Sequence, residues 1–264
     1  MDIVKKDNAL VNAAYTLTLT EQRLVLLAIV EAAGQPDELK DMVVHAHTYA
    51  KRFGVNNDAA YKALNDATRQ LFERRFSYQR LTSKGNLNQV HSRWVQRVEY
   101  IESEGAVMLS FAKDVIPLLC NLKNHFTYYG LEHVARLSSA HAVRLYELLI
   151  AWRATGKTPM LKLAEFRQRL GIEPDEYPRM TDFKRRVLDV AVQQINKYTD
   201  IIVLYEQYKQ GRSVSGFCFT LKAKLTVQKN KRKTITKKQA EEMARPGESY
   251  PELYKRLSSE YIIK

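Results

Sequence analysis

The chain holds 264 residues, 45% apolar and 27% charged, with a formal net charge of +13 and two cysteines. This composition excludes a disordered chain and a disulfide-framed module, and no apolar run approaches the ~18 residues that a membrane helix needs. The positive excess is uneven, +1 over residues 1–112, +7 over 113–228 and +5 over 229–264, so a polyanion is the expected partner of the second half, nucleic acid ahead of a membrane surface.

Residues 1–14 read as a polar lead-in with no signal peptide. Cys120 and Cys218 sit in apolar runs without metal-ligand spacing, as small reduced thiols of a cytoplasmic protein do. Thr18 and Glu21 have capping-box spacing, so a helix is predicted to start there, run through the apolar stretch 23–30 and stop by Gly34-Gln35-Pro36. A short strand follows at 42–47, then a short helix at 48–53 ended by Gly54. Asn56-Asn57 caps a longer helix over 58–74, with Ala60, Leu64, Ala67 and Leu71 inward and Lys62, Asn65, Asp66, Arg69 and Glu73 outward. Three strands are predicted at 76–81, 90–102 and 106–111. Lys84 lies in the first turn, and Arg93 and Arg97 on the second strand. This is helix, strand, helix-turn-helix and wing.

Residues 113–137 form a connector, with a helix over 113–123 interrupted at Pro117 and an extended stretch at 126–129. The plan then recurs. Ser138-Ser139 caps a helix over 140–153 whose Arg144-Leu145-Tyr146-Glu147-Leu148 repeats the Arg-Leu-x-x-Leu of Arg23-Leu24-Val25-Leu26-Leu27. A turn at 156–159, a strand at 160–163 and a helix over 164–170 follow, ended by Gly171 as Gly54 ended its counterpart.

The segment 179–196 is the most informative. At about 100° per residue, Phe183, Val187, Val190, Ala191 and Ile195 share one side. Asp182, Arg185, Arg186, Asp189, Gln193 and Asn196 share the other, led in by Arg179. Guanidinium forks and amides are the groups that read guanine and adenine edges in a major groove. Two strands, 201–208 and 214–221, flank a basic turn with Lys209, Arg212 and Ser213. The expectation is an α+β protein of two tandem winged-helix domains: 1–112, a connector 113–137, a second domain 138–226, and a basic tail 227–264 that includes the acid-free, Lys/Arg-rich run 222–238.

Leu137-Ser138-Ser139-Ala140-His141-Ala142-Val143-Arg144-Leu145-Tyr146-Glu147-Leu148-Leu149, Tyr177-Pro178-Arg179-Met180-Thr181-Asp182-Phe183-Lys184-Arg185-Arg186-Val187 and Lys209-Gln210-Gly211-Arg212 resemble the winged-helix plasmid replication initiators that bind iterons. Lys6-Asp7-Asn8-Ala9-Leu10 and Glu21-Gln22-Arg23-Leu24 are similar to the same family, so the resemblance covers about residues 3–226. It implies that monomers bind direct repeats of double-stranded DNA at a plasmid origin, help to melt nearby duplex and recruit a host initiator and helicase. It also implies a homodimer, paired through the N-terminal domain, that represses the initiator's own promoter. Arg179, Arg185 and Arg186 correspond to the family's base readers. Lys184 stands where relatives carry arginine. Lys209, Arg212 and Ser213 on the second wing, and Lys62, Asn65, Arg69, Lys84 and Arg93 in the first domain, are expected at phosphate or the minor groove. No cofactor, metal or membrane is expected.

Two rival readings remain open. His45-Ala46-His47 spells the histidine-hydrophobic-histidine strand of rolling-circle nicking enzymes, with Tyr61 as an available nucleophile. A dimeric winged-helix repressor would share the fold without the replication role. Gly156-Lys157-Thr158 ends like a nucleotide-binding loop but lacks its first glycine, so no nucleotide site is expected.

Overall fold

The computed structural model describes residues 2–32, 41–82, 84–120, 122, 125–224, 233–244, 248–257 and 261–263. The chain does not begin with a free lead-in. Strand β1 (Ile3–Asp7) alternates buried Val4 and Lys6 with more exposed neighbours, α1 (Asn8–Val11) is capped by the Asp7 carboxylate, and β2 (Ala14–Tyr15) follows. Turn-rich polar sequence concealed these elements because each is too short to set a period.

Helix α2 (Leu19–Ala32) starts at the expected reciprocal cap, with Thr18 N donating to Glu21 at 2.6 Å and Glu21 N to the Thr18 hydroxyl at 3.2 Å. Its apolar run is buried from Leu24 to Ile29. The stop at Gly34-Gln35-Pro36 lies outside the described residues. Strand β3 (Met42–His45) is shorter than predicted: His45 caps α3 (Ala46–Phe53), so His47 stands in the first helical turn. Gly54 ends α3 with φ 63°, and Asn56 caps α4 (Asn57–Leu71) by accepting from Asp58 N at 2.8 Å. The expected inward stripe Ala60, Leu64, Ala67 and Leu71 is buried.

The predicted strand 90–102 is two strands. β4 (Arg75–Leu81) and β5 (Leu87–Arg93) form a hairpin on β2, whereas β6 (Val95–Ile101) and β7 (Ala106–Phe111) form another on β3. The break falls at Trp94, whose fully buried indole meets Tyr15 edge-on at 4.9 Å between centroids. Continuous β propensity across 90–102 hid a corner that burial of one large side chain imposes. Among the described residues of 113–123 there is no α-helix: a single 3-10 turn, Ile116–Leu118, forms around Pro117. β8 (Phe126–Gly130) then pairs antiparallel with β1, so the connector and the N-terminus share a sheet. A short helix α5 (Glu132–Ala135) leads to the second half.

There α6 (Ala140–Ile150), capped by Ser139, packs on the helix at 189–198, as α2 packs on α4. β9 (Leu161–Lys162) and α7 (Leu163–Arg169) come next. Residues 180–198 run as α8 (Met180–Phe183), a π turn at Lys184–Leu188 and α9 (Asp189–Tyr198). Strands β10 (Ile201–Gln210) and β11 (Ser213–Ala223) close the half in a long hairpin. Sheet order β10-β11-β9 reproduces β6-β7-β3, so the two halves are windings of one winged-helix plan. Residues 1–224 form one compact unit with one continuous core.

Residues 225–264 form a second unit. Within it, β12 (Lys233–Ile235) pairs in parallel with β13 (Tyr261–Ile263). α10 (Lys237–Glu241) and α11 (Tyr250–Leu257) bury Ala240, Leu253 and Leu257 between them. A Thr236–Gln239 capping box starts α10. The densest part of the basic run, 229–232, lies outside the described residues.

Candidate nucleic-acid interface

The helix at 180–198 has one face in the core. Phe183, Val187, Leu188, Ala191 and Ile195 are all at most 1% exposed, and Phe183 joins Phe166, Phe217 and Phe219 in an aromatic cluster. Emptying one such ring position to alanine costs about 3–5 kcal/mol. A buried face of this kind leaves the opposite face no freedom to turn inward. Leu188 was not expected inside, and Val190, expected inside, is only half-buried. The π turn accounts for both. Asp189 N bonds to the Lys184 carbonyl, five residues back, so one extra residue enters the turn and the wheel advances.

Arg179 is the exposed N-cap of this helix; Arg185, Arg186 and Gln193 are exposed along it. Arg185 rests against Asp182 at 2.9 Å with 71% of its side chain exposed, a pairing that solvent screens and a nearby phosphate or guanine displaces. Lys184 is half-buried, with Nζ 3.2 Å from Gln207 Oε1 on β10 and 5.6 Å from the Tyr205 ring centroid. It ties helix to wing. Tyr205 does the same by donating its hydroxyl to Asp189 at 2.6 Å; burial, and then this bond, raise the phenol well above its ordinary range, so it stays a donor.

Asn196 is engaged within the fold. Its amide donates to the Val203 carbonyl at 2.9 Å and accepts from Val203 N at 2.6 Å, so both ends help to hold β10 on the helix. These two bonds use one of the amide's two N–H groups and one side of its oxygen, and they fix the side chain's orientation against the strand. The wheel placed it outward because the wheel cannot see the strand that folds back over the helix end.

At the wing tip Lys209, Arg212 and Ser213 are exposed as expected. The loop has two residues, and Gly211, with φ 62°, occupies the first. That is the position where a tight hairpin turn demands a left-handed backbone. A register shift after Tyr208 bends the tip.

The first half offers less. Lys62 and Arg69 are exposed on α4 and Asn65 is half-buried beside them. Lys84 is exposed at the tip of the β4–β5 hairpin, but the topological counterpart of the second wing is β6–β7, and its tip is the acidic 3-10 turn Glu102–Glu104. Arg93 donates from Nη1 to the Phe72 carbonyl at 2.6 Å and to Glu73 at 3.0 Å, clamping the C-terminal end of α4. Arg97 pairs with Asp41 at 3.1 Å and Glu99 at 2.6 Å. Only His45 belongs to β3, His47 standing in the first turn of α3 with the two rings 5.3 Å apart between centroids, and Tyr61, on α4, packs under Gly105. Among the described residues no group of three or more His, Cys, Asp or Glu could hold a metal ion.

Sequence reasoning missed a buried polar centre. Lys6 and Glu147 pair at 2.5 Å, Arg144 and Glu147 at 2.7 Å, and the hydroxyls of Tyr129 and Tyr15 donate to the same carboxylate at 2.5 and 3.3 Å. Burial alone would push the Glu147 carboxyl up; the charges of Lys6 and Arg144, with the bonds from Lys6 and Tyr129, pull it down to about 2. The signal was present in the repeated motif, which sets an arginine in the midst of two apolar helices.

The family described as "Initiator Replication protein, WH1" matches residues 3–150, and "Initiator Rep protein, WH2" matches residues 162–221. An uncharacterized 27.6 kDa protein of Escherichia coli is 23% identical over 220 residues, covering 79% of this chain and 91% of the relative. The PI protein of Escherichia coli is 27% identical over 154 residues, covering 52% of this chain and 50% of that protein. The crystal structure of the Pi initiator protein in complex with iteron DNA has the same fold, with a TM-score of 0.69 at 21% identity over 85% of this chain and 98% of that one. No described helix is long and apolar enough to cross a membrane. With both winged helices matched in order, the chain belongs to the replication initiator (Rep) proteins, the DNA-binding initiators of plasmid replication.

Proposed function

We propose that this chain initiates plasmid replication by binding direct repeats in duplex DNA as a monomer, with Arg179, Arg185, Arg186 and Gln193 reading base edges in a major groove. One observation carries this reading: three exposed arginines lie at or near the start of a helix whose opposite face is at most 1% exposed. Each guanidinium set on a guanine discriminates by about 1–3 kcal/mol. Lys209, Arg212 and Ser213 grip phosphate from the wing, Lys184 steadies it, and Lys62, Asn65, Arg69 and Lys84 add phosphate contacts one groove away. Two such elements on one DNA face lie about 34–36 Å apart, so each repeat spans about two helical turns.

The same proposal includes a homodimer that represses the initiator's own promoter, recruitment of a host initiator and helicase, action in the cytoplasm, and no catalytic step or cofactor. Selection of duplexes from a random-sequence pool by the purified protein, followed by footprinting of the selected site within its own plasmid, tests the core of it. The expected result is protection of tandem repeats about two turns long; a single palindrome with no repeats would favour the plain repressor.

A further inference from the structure

We propose that Lys6, Arg144 and Glu147, together with Arg23, are positioning residues that fix the separation and angle between the two groove-facing helices, and so set the spacing within one binding site. The proposal rests on the reading above that both winged helices lie on one duplex.

The two repeated arginines act reciprocally. Arg23, on the first helix of the first half, donates to the carbonyls of Leu137 at 3.1 Å and Ala135 at 3.4 Å, at the entry to the second half. Arg144, on the first helix of the second half, donates to the carbonyls of Val11 and Ala13, both at 3.0 Å, at the entry to the first. Its guanidinium lies 4.0 Å from the Tyr15 ring centroid and also binds the Arg169 carbonyl at the end of α7. One planar group thus touches the strand that pairs with β4, the end of the helix before the reading helix, and Glu147. Lys6 then brings β1, and with it β8, to the same carboxylate.

These side chains are 1–9% exposed. An apolar junction of equal volume would hold the halves as strongly, because burying charge returns little net stability. It would not hold them at one angle. Hydrogen bonds are directional, and a carboxylate that accepts from four side chains has one solution. Gly171 reinforces it. A Cβ there would come within 2.5 Å of the Tyr15 carbonyl, so the backbones of the two halves meet where only glycine fits.

The test uses a fluorescein-labelled duplex selected by the wild-type full-length chain, and the same duplex with two base pairs inserted between its two protected segments. The insertion rotates one segment by about 70° and moves it by about 7 Å. Wild-type protein is expected to bind the inserted duplex at least about tenfold more weakly, having lost one of two tethered contacts. Lys6→Met, verified as folded by circular dichroism and its melting midpoint, is expected to discriminate by less than about threefold, and Lys6→Arg to restore the difference. Should Lys6→Met not fold, Tyr129→Phe removes only one donor to Glu147 and is expected to lower discrimination in the same direction. A folded variant that discriminates as wild type does overturns the proposal, since a merely stabilising cluster predicts that result. A wild-type protein indifferent to the insertion instead overturns the two-helix reading beneath it.

Discussion

Acid is the sharpest probe of the buried centre. The Glu147 carboxyl titrates at about 2 in the folded chain against 4.5 ordinarily, a depressed value. Its contribution is therefore complete above the unfolded value and is lost as pH falls through the folded one; the full span is about 3 kcal/mol. Linkage puts about 1.4 kcal/mol of that loss between neutral pH and pH 3.5. Glu147→Gln removes the titration and leaves Lys6 and Arg144 without a counter-charge, at a cost of about 3–5 kcal/mol near neutrality. The gap between wild type and variant should then narrow by about 1.4 kcal/mol at pH 3.5, as wild type alone gives up this term. Urea unfolding of both proteins between pH 7 and 3.5 measures it. Parallel loss of stability in the two proteins would refute the claim that the ion cluster depresses this carboxyl.

Asn196→Ala should cost about 1–3 kcal/mol, because both Val203 backbone groups lose their partner. It should leave the ratio of selected to random duplex binding unchanged; calorimetry and fluorescence anisotropy read the two effects. Arg212→Ala should weaken selected and random duplex alike and reduce the slope of log affinity against log salt by about one, as one phosphate contact does. Gly171→Ala should destabilise the chain by more than about 1 kcal/mol in urea unfolding, since φ is 75° there and the added methyl meets backbone.

The doubled winged-helix plan was legible from local signals: the caps at Thr18, Asn56 and Ser139, the glycines at 54 and 171, and the inward stripe of α4. So was the side of residues 180–198 that Phe183, Val187 and Ile195 occupy. What escaped depends on contacts distant in sequence. β1 exists because β8 lies beside it, 119 residues apart at the Asp7–Phe126 pair. Asn196 and Arg93 carry side chains suited to DNA, and only the arrival of β10 and of the α4 terminus shows that each also ties two elements of the fold together. The π turn has no composition signal; a wheel of fixed pitch misplaces Val190 for that reason. The Lys6–Glu147 pair spans 141 residues, and no periodicity links two charges so far apart.

The central claim is that the outward face of residues 180–198 lies against base pairs. Affinities of wild type, Arg185→Ala and Arg186→Ala for the selected duplex and for random duplex, across a salt series, test it most directly. The account predicts that each substitution weakens selected-site binding by about 1–3 kcal/mol while random-duplex affinity barely moves. Equal losses on both duplexes would mean that these arginines touch only phosphate, and base reading would have to be sought on another surface.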